Sequence, residues 1–342
     1  MKKPPLTICA TVRFQASGFT LVELMISLSI GLIIAGASFY AYLGTTRATK
    51  IADAQGRMYE DGQAALIILT QQLRMAGANP EQANRVDNTA PALSSRRNPV
   101  YLPIPAYAGF AITPSTYHPS GFSIRGCSTT FGNIDAANQI DDLNCMPGSG
   151  AQSIAVSYEA DRFNTVATDA GLPTDCLGNA LTPITATLPV VLGAVVGTAN
   201  ITYTVADNRF YVGTTSTMTS LYCKGNGATQ AMPLVDNVED LQFSYGATST
   251  TSTDNTATVA GYLSADQIST QADMAALPND AARWAKVLTV RICIVVRSEA
   301  PVLSNLSSAR YLRCDGSLET APPDLRLRHA YFTTVMLRNR RL

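Results

Sequence analysis

The distribution of apolar and polar positions divides the chain into a uniform front and an irregular remainder. From Leu24 to Thr46 no charged residue interrupts the run, and roughly 20 apolar residues suffice for one helix to cross a bilayer core. Past Arg47 the pattern changes rather than stops. Met58, Gly62, Ala65, Leu69, Leu73 and Ala76 recur at three- and four-residue spacing, with Arg57, Glu60, Gln63 and Gln71 on other sides. That spacing predicts one apolar face of an amphipathic helix. No proline intervenes before Gly77, Asn79 and Pro80, which supply the stop. The expectation is a single helix of about 60 residues, ~90 Å at 1.5 Å per residue, long for a globular protein. Gly31, Gly36, Gly56 and Gly62 each weaken it by up to ~1 kcal/mol relative to alanine. They equally suit close packing between helices.

Beyond Pro80 the signals are shorter. Glu81 to Ser120, rich in Pro, Asn and Ser and carrying Arg96-Arg97, reads as an irregular connection wrapping the helix, with a short strand near Phe110–Ile112. Strand candidates follow at Ile154–Tyr158 and Pro189–Val196. Ile201–Val205 and Arg209–Val212 read as a hairpin joined at Asp207-Asn208. Thr248–Thr258 is nearly devoid of apolar residues and reads as a loop. The last third is more regular. Asp236–Gly246 sets Leu241, Phe243 and Tyr245 on one side of a strand, Trp284–Ser298 reads as a central strand, and Ala330–Leu337 as another. Nothing repeats at a fixed period.

One carboxylate breaks the apolar front. Glu23 lies one turn inside the helix, where a charge costs on the order of 2.5–3.5 kcal/mol at the bilayer centre and less near an edge, so it needs a partner. Before it, Met1 to Gly18 is basic (Lys2, Lys3, Arg13) and has no acid. A secretory signal is cut after its apolar run, whereas the conspicuous junction here, Gly18-Phe19, precedes it. The stretch Gly18-Phe19-Thr20-Leu21-Val22-Glu23 with its basic leader resembles the class III signal of type IV prepilins. The resemblance implies cleavage by a prepilin peptidase between Gly18 and Phe19 and N-methylation of Phe19. It also implies that Glu23 meets the terminal amine of a neighbouring subunit and sets register during assembly. A carboxylate is also favoured there by the helix dipole and free N–H groups. Two plainer readings stand beside it: an ordinary membrane anchor with a stray glutamate, and a Glu23 that pairs only with its own amine.

The segments Asp236–Gly246, Trp284–Ser298 and Ala330–Leu337 with Arg338-Asn339 are similar to the C-terminal sheet of PilW-type minor pilins. Residues 81–230 take no part in that resemblance. Members of the family often carry an Asp-rich stretch after the Tyr-Gly pair, but here Asp254 and Asp266 stand alone, which argues against a metal loop.

Composition adds the compartment. The chain of 342 residues has 25 basic and 25 acidic groups. Loss of the leader removes three basic residues and leaves 22 against 25, a balance that gives no electrostatic reason to expect nucleic acid as a partner. Of seven cysteines, Cys9 departs with the leader. The remaining even set, Cys127, Cys145, Cys176, Cys223, Cys293 and Cys314, beyond a membrane segment points to disulfides in an oxidising compartment. Six cysteines allow 15 pairings, which sequence does not resolve. The working expectation is sequential, Cys127–Cys145, Cys176–Cys223 and Cys293–Cys314, with Cys293 as a buried free thiol the alternative. The CxxC clustering of a zinc site is absent. The basic leader places the N-terminus in the cytoplasm and residues after about 47 in the periplasm.

Catalytic and metal chemistry finds little support. His118 and His329 have no nucleophile elbow or metal-ligand spacing beside them. Asp135, Asp141 and Asp142 lack the alternation and glycine of an EF-hand, and read as a solvated acidic loop. Tyr101, Tyr107 and Tyr117 suit a contact surface or packing along the helix equally.

The expected fold class is α+β: a type IV pilin fold, with a long N-terminal helix on an antiparallel sheet and a large loop-rich, disulfide-containing insertion. The expected segments are a cleaved leader (1–18), a transmembrane or fibre-core half-helix (19–46), an amphipathic half (47–79), a loop-rich β region (80–230) and a C-terminal sheet (231–342). The resemblance implies a non-enzymatic minor pilin without metal or cofactor. It starts in the inner membrane and moves to the fibre tip, with roles in pilus assembly, adhesion and twitching motility. Its implied partners are the prepilin peptidase, other minor pilins, the major pilin, the inner-membrane assembly platform, membrane lipid and a tip adhesin. The alternatives are a minor pseudopilin of type II secretion, a membrane-tethered periplasmic enzyme and a DNA-uptake receptor.

Overall fold

The computed structural model describes residues 18–78, 122–137, 139–192, 195–215, 218–249, 258–277 and 279–339. The leader with Cys9, the connection at 81–120 with Phe110–Ile112, Tyr101, Tyr107, Tyr117 and His118, and residues 250–257 of the Ser/Thr-rich loop lie outside the described residues. Contacts divide the chain into two units, Met1–Ala52 and Asp53–Leu342.

Helix α1 runs Leu21–Met75 without interruption. In the second unit its periodic face is buried: Met58, Ala65, Leu66, Leu69, Leu73 and Ala76 belong to one hydrophobic cluster with residues of both main sheets. The helix ends where Gly77 takes the left-handed conformation at φ 69°, which glycine adopts without a Cβ penalty. The Gly77 N–H donates to Ser157 O at 2.9 Å, and Ala78 O accepts from Glu159 N–H at 2.9 Å, so the helix terminus is tied to a strand.

Two antiparallel sheets receive that helix. The first contains β1 (Ile124–Cys127), β2 (Ser153–Glu159), β5 (Val205–Thr215), β6 (Met218–Gly225) and β7 (Met232–Asp236), in the order β1-β2-β5-β6-β7. Between β2 and β5 in sequence, β3 (Ile184–Leu192) and β4 (Val195–Tyr203) form a separate hairpin. The second sheet contains β8 (Val238–Ala247), β9 (Gly261–Leu263), β10 (Val287–Arg297) and β13 (Arg328–Met336), in the order β13-β10-β8-β9. Short helices α2 (Ala265–Thr270), α3 (Ala272–Ala275) and α4 (Asp280–Ala285) separate β9 from β10. A small hairpin, β11 (Tyr311–Leu312) with β12 (Leu318–Glu319), precedes β13.

The α+β class, the central position of β10 and the inward row Leu241, Phe243 and Tyr245 on β8 are all present. Three local expectations are corrected. Asp207-Asn208 does not turn a hairpin but lies inside β5, paired with β2 and β6. Both residues are buried because partners satisfy them: Asp207 bridges Arg209 at 3.2 Å, with both side chains 2% exposed. Asn208 donates to Gln72 Oε1 at 2.8 Å and accepts from Cys176 N–H at 3.0 Å. Buried polar groups persist in a strand when paired in this way. The candidate strand Pro189–Val196 straddles two strands, with Leu192 paired to Val195. Trp284 belongs to α4 rather than to β10, and its ring meets Tyr245 edge-on at 4.8 Å. The middle region is also more regular than its loop-rich composition suggests, since it supplies most of the first sheet.

Disulfides join Cys127 to Cys145, Cys176 to Cys223 and Cys293 to Cys314, across sequence separations of 18, 47 and 21 residues. Each links a strand to an adjoining loop, so each limits how far that loop separates from the sheet when the chain unfolds. At the N-terminal end of β13, Arg328 is fully buried and donates to Glu239 Oε2 at 2.6 Å and Asp324 Oδ1 at 2.8 Å. Burial pulls its guanidinium pKa down, but these two carboxylates outweigh burial and raise it above the usual range.

Two tests follow from this packing. A Cβ at Gly126 would run into the Tyr245 hydroxyl and approach Trp284 at 3.2 Å. Gly126→Ala is therefore expected to destabilise the protein by ~1–3 kcal/mol in denaturant titrations. The double variant Gly126→Ala/Tyr245→Phe should recover only part of that loss: the hydroxyl in the way has no protein hydrogen-bond partner, but the ring carbon Cζ still stands 2.7 Å from the added Cβ. Removing both cysteines of any one pair should lower stability by about 3–4 kcal/mol, with Cys176/Cys223 at the upper end because it closes the longest loop. Non-reducing peptide mapping checks that the three pairs were formed.

Candidate functional site

The head of α1 is organised by two residues. Gly18, Phe19 and Thr20 precede the first helical residue, Leu21, so Thr20 is the N-cap and Glu23 the third helical residue. Glu23 N–H donates to Thr20 Oγ1 at 3.3 Å. In return the Glu23 carboxylate accepts from Thr20 N–H and from Thr20 Oγ1–H, both at 2.9 Å on Oε2. This reciprocal arrangement is a capping box, which satisfies helix-end donors that have no partner of their own. The carboxylate also faces the positive end of the helix dipole. Sequence reasoning passed over Thr20; the spacing Thr20-Leu21-Val22-Glu23 is the signal that reveals it.

Past the cap the helix is an apolar rod. Every large apolar residue from Leu21 to Leu43 is exposed, among them Ile26, Ile30, Ile33, Phe39 and Tyr42. The span is long and apolar enough to cross a membrane. Four of its hydroxyls are turned back on the helix. Ser27 donates to Leu24 O at 3.0 Å, Ser29 to Met25 O at 2.8 Å, Thr45 to Tyr42 O at 2.9 Å and Thr46 to Tyr42 O at 2.8 Å. An apolar surface of this extent has to be covered by lipid or by other helices. Gly31, Gly36 and Gly56 have nothing near their Cα hydrogens, whereas a Cβ at Gly62 would stand 2.7 Å from the Tyr331 ring. Gly62 therefore serves packing within the subunit, and the other three leave open notches on the rod.

Among the described residues the remaining candidates are not brought together. His329 stands exposed on β13 and meets the Tyr331 ring edge-on at 4.7 Å. Asp135, Asp141 and Asp142 fall between Cys127 and Cys145, in a loop held by Arg125 Nη1 donating to Ile140 O at 3.1 Å and Asp141 O at 2.8 Å. Among the described residues no group of three His, Cys, Asp or Glu side chains is placed to hold a metal ion. The six cysteines are all consumed in disulfides.

Comparison with known families matches both ends of the chain. Residues 13–39 match the prokaryotic N-terminal methylation motif, which covers Gly18, Phe19, Thr20 and Glu23. Residues 209–339 match type IV pilus-assembly protein W, from β5 through β13. No curated protein and no solved structure matches the chain. A prepilin-type head, an apolar helix long enough to cross a membrane and a C-terminal sheet matched to the assembly-protein model together make this chain similar to membrane-anchored, type IV pilus-associated pilins of the PilW family.

Proposed function

We propose that this chain is a minor pilin that joins other minor pilins in a complex priming type IV pilus assembly and sitting at the fibre tip. The observation that carries the reading is the Glu23 carboxylate, held in a capping box at the head of an apolar helix and five positions after Gly18. A prepilin peptidase would cut between Gly18 and Phe19 and methylate Phe19. The new terminal amine would then lie beside a carboxylate already ordered by Thr20. In an assembled fibre, the same carboxylate would meet the amine of the neighbouring subunit and fix the axial register of the two rods.

The rest of the molecule fits a structural role. The leader's basic residues would hold the N-terminus in the cytoplasm, with the disulfide-bonded sheets in the periplasm until the subunit leaves with the fibre. The inner-membrane assembly platform, the major pilin and a tip adhesin complete the set of proposed partners. No enzymatic step is assigned, because the chemistry required is cohesion and register.

Mass spectrometry of the native protein should find a chain that begins at N-methylated Phe19. Glu23→Ala should still insert in the membrane but fall at least tenfold in sheared surface fibres relative to the unsubstituted protein. A native chain beginning at Met1, or full incorporation of the alanine variant, would overturn the reading. Recovery of the protein with a type II secretion machine and never in fibres would replace it with the pseudopilin role.

A further inference from the structure

The four-stranded sheet ends in β13, and among the described residues no strand pairs with the outer side of that strand. Which of its groups face outward follows from the register. Leu337 N–H donates to Leu288 O at 2.8 Å, and Ser298 N–H to Leu327 O at 2.8 Å, on the two ends of the β10–β13 ladder. Alternation along an antiparallel pair then turns the N–H and C=O groups of Tyr331, Thr333 and Val335 toward β10. Those of Ala330, Phe332, Thr334 and Met336 point to the open side. Among the described residues nothing pairs with them. Phe332 and Met336 are 54% and 61% exposed.

Beside this edge, α1 and β13 together line a groove of about 600 Å³. Leu66, Ile67 and Met75 supply the apolar part of its helix wall, with Gln63, Thr70, Gln71 and Arg74 among them, and Phe332 and Thr333 supply its strand wall. Arg74 is the one charged residue in the lining, which holds no carboxylate. An unpaired strand edge over a partly apolar groove is an arrangement that accepts an extended peptide, whose backbone pairs with the edge while alternate side chains enter the groove. We propose that the β13 edge accepts an extended segment of a different polypeptide as an added strand, its apolar side chains on Ile67 and Met75 and a carboxylate set against Arg74. Charge selects this occupant over a second copy. The copy would offer its own Arg328–Met336 strand, which carries Arg328 and His329 and no acid, to a groove whose charge is already positive. The proposal gives the chemistry of one partner in the assembly role and rests on that role, but it does not depend on how the N-terminus is processed.

The test uses the full chain in its native membrane, with the photo-crosslinker benzoylphenylalanine in place of Phe332. The expected product joins position 332 to an acid-containing segment of another protein. Thr334→Ala, which keeps the outward N–H, should leave the yield unchanged. Thr334→Pro, which removes that N–H and no bond to β10, should lower it at least tenfold without shifting the melting temperature. If the proline variant does not fold, Arg74→Glu serves instead and should lower the yield by a similar factor. The proposal is overturned by an absent crosslink, by a crosslink to residues 79–121 of the same chain or to a second copy, by a yield in a folded Thr334→Pro protein equal to that of Thr334→Ala, or by a yield insensitive to Arg74→Glu. Failure of Phe19 methylation with crosslinking intact would remove the pilus reading alone.

Discussion

The Glu23 carboxylate is the constraint on which the design of the front half turns. A charge at the head of an apolar helix is unfavourable in lipid unless hydrogen bonds or an opposite charge compensate it. Thr20 provides two donors from within the same turn, so the isolated subunit reaches the membrane with its acid already satisfied. Compensation is therefore local first, and intermolecular only in the fibre we propose. An amine released by the proposed cut before Phe19 would not rescue a stranded charge; it would compete with, or add to, an existing cap, and the electrostatic gain would be the difference between the two.

The rear half solves a different problem. A helix with one apolar stripe is stable only when that stripe is covered, and here Met58 through Ala76 are covered by two sheets that form one core with it. Polar groups at the junction are matched individually. Asn208 reaches Gln72 on the helix, and Asn237, at φ 64°, reaches Asp61 with a hydrogen bond of 3.2 Å. Asparagine tolerates that left-handed conformation better than most residues, which lets β7 pass into β8 at a single residue. Burial raises the pKa of Asp61 despite the Asn237 bond, which lowers it.

Legibility in the sequence tracked how local each determinant was. The long helix, its buried face and its stop at Gly77 depend on residues a turn apart, and each was readable. So were β8, β10 and β13, whose apolar content is dense enough to need no context. Asp207-Asn208 was misread because its turn-like composition is overridden by partners far away in the chain: Gln72 on the helix and the backbone at Cys176. Trp284 was attached to the following strand although Asn279 caps a short helix just before it, accepting from Ala282 N–H at 2.9 Å. The even number of cysteines was informative, but their pairing depends on which strands lie side by side. At the site itself Glu23 was conspicuous by its cost and Thr20 was not, since a threonine before an apolar run attracts no notice until its hydroxyl is seen on the acid.

The inward-turned hydroxyls of the span have a mechanical corollary. Ser27, Ser29, Thr45 and Thr46 spend their donors on carbonyls of their own helix, whereas Tyr40 and Tyr42 expose phenolic hydroxyls towards the far end of the span. From Leu24 to Ala37 the rod has no azimuthal preference imposed by polar anchoring, and that stretch can spin or slide along its axis against hydrocarbon without rupturing a directional bond. Resistance of that stretch to withdrawal from lipid comes from solvophobic transfer, and its angular order must come from the shapes of the surfaces it meets.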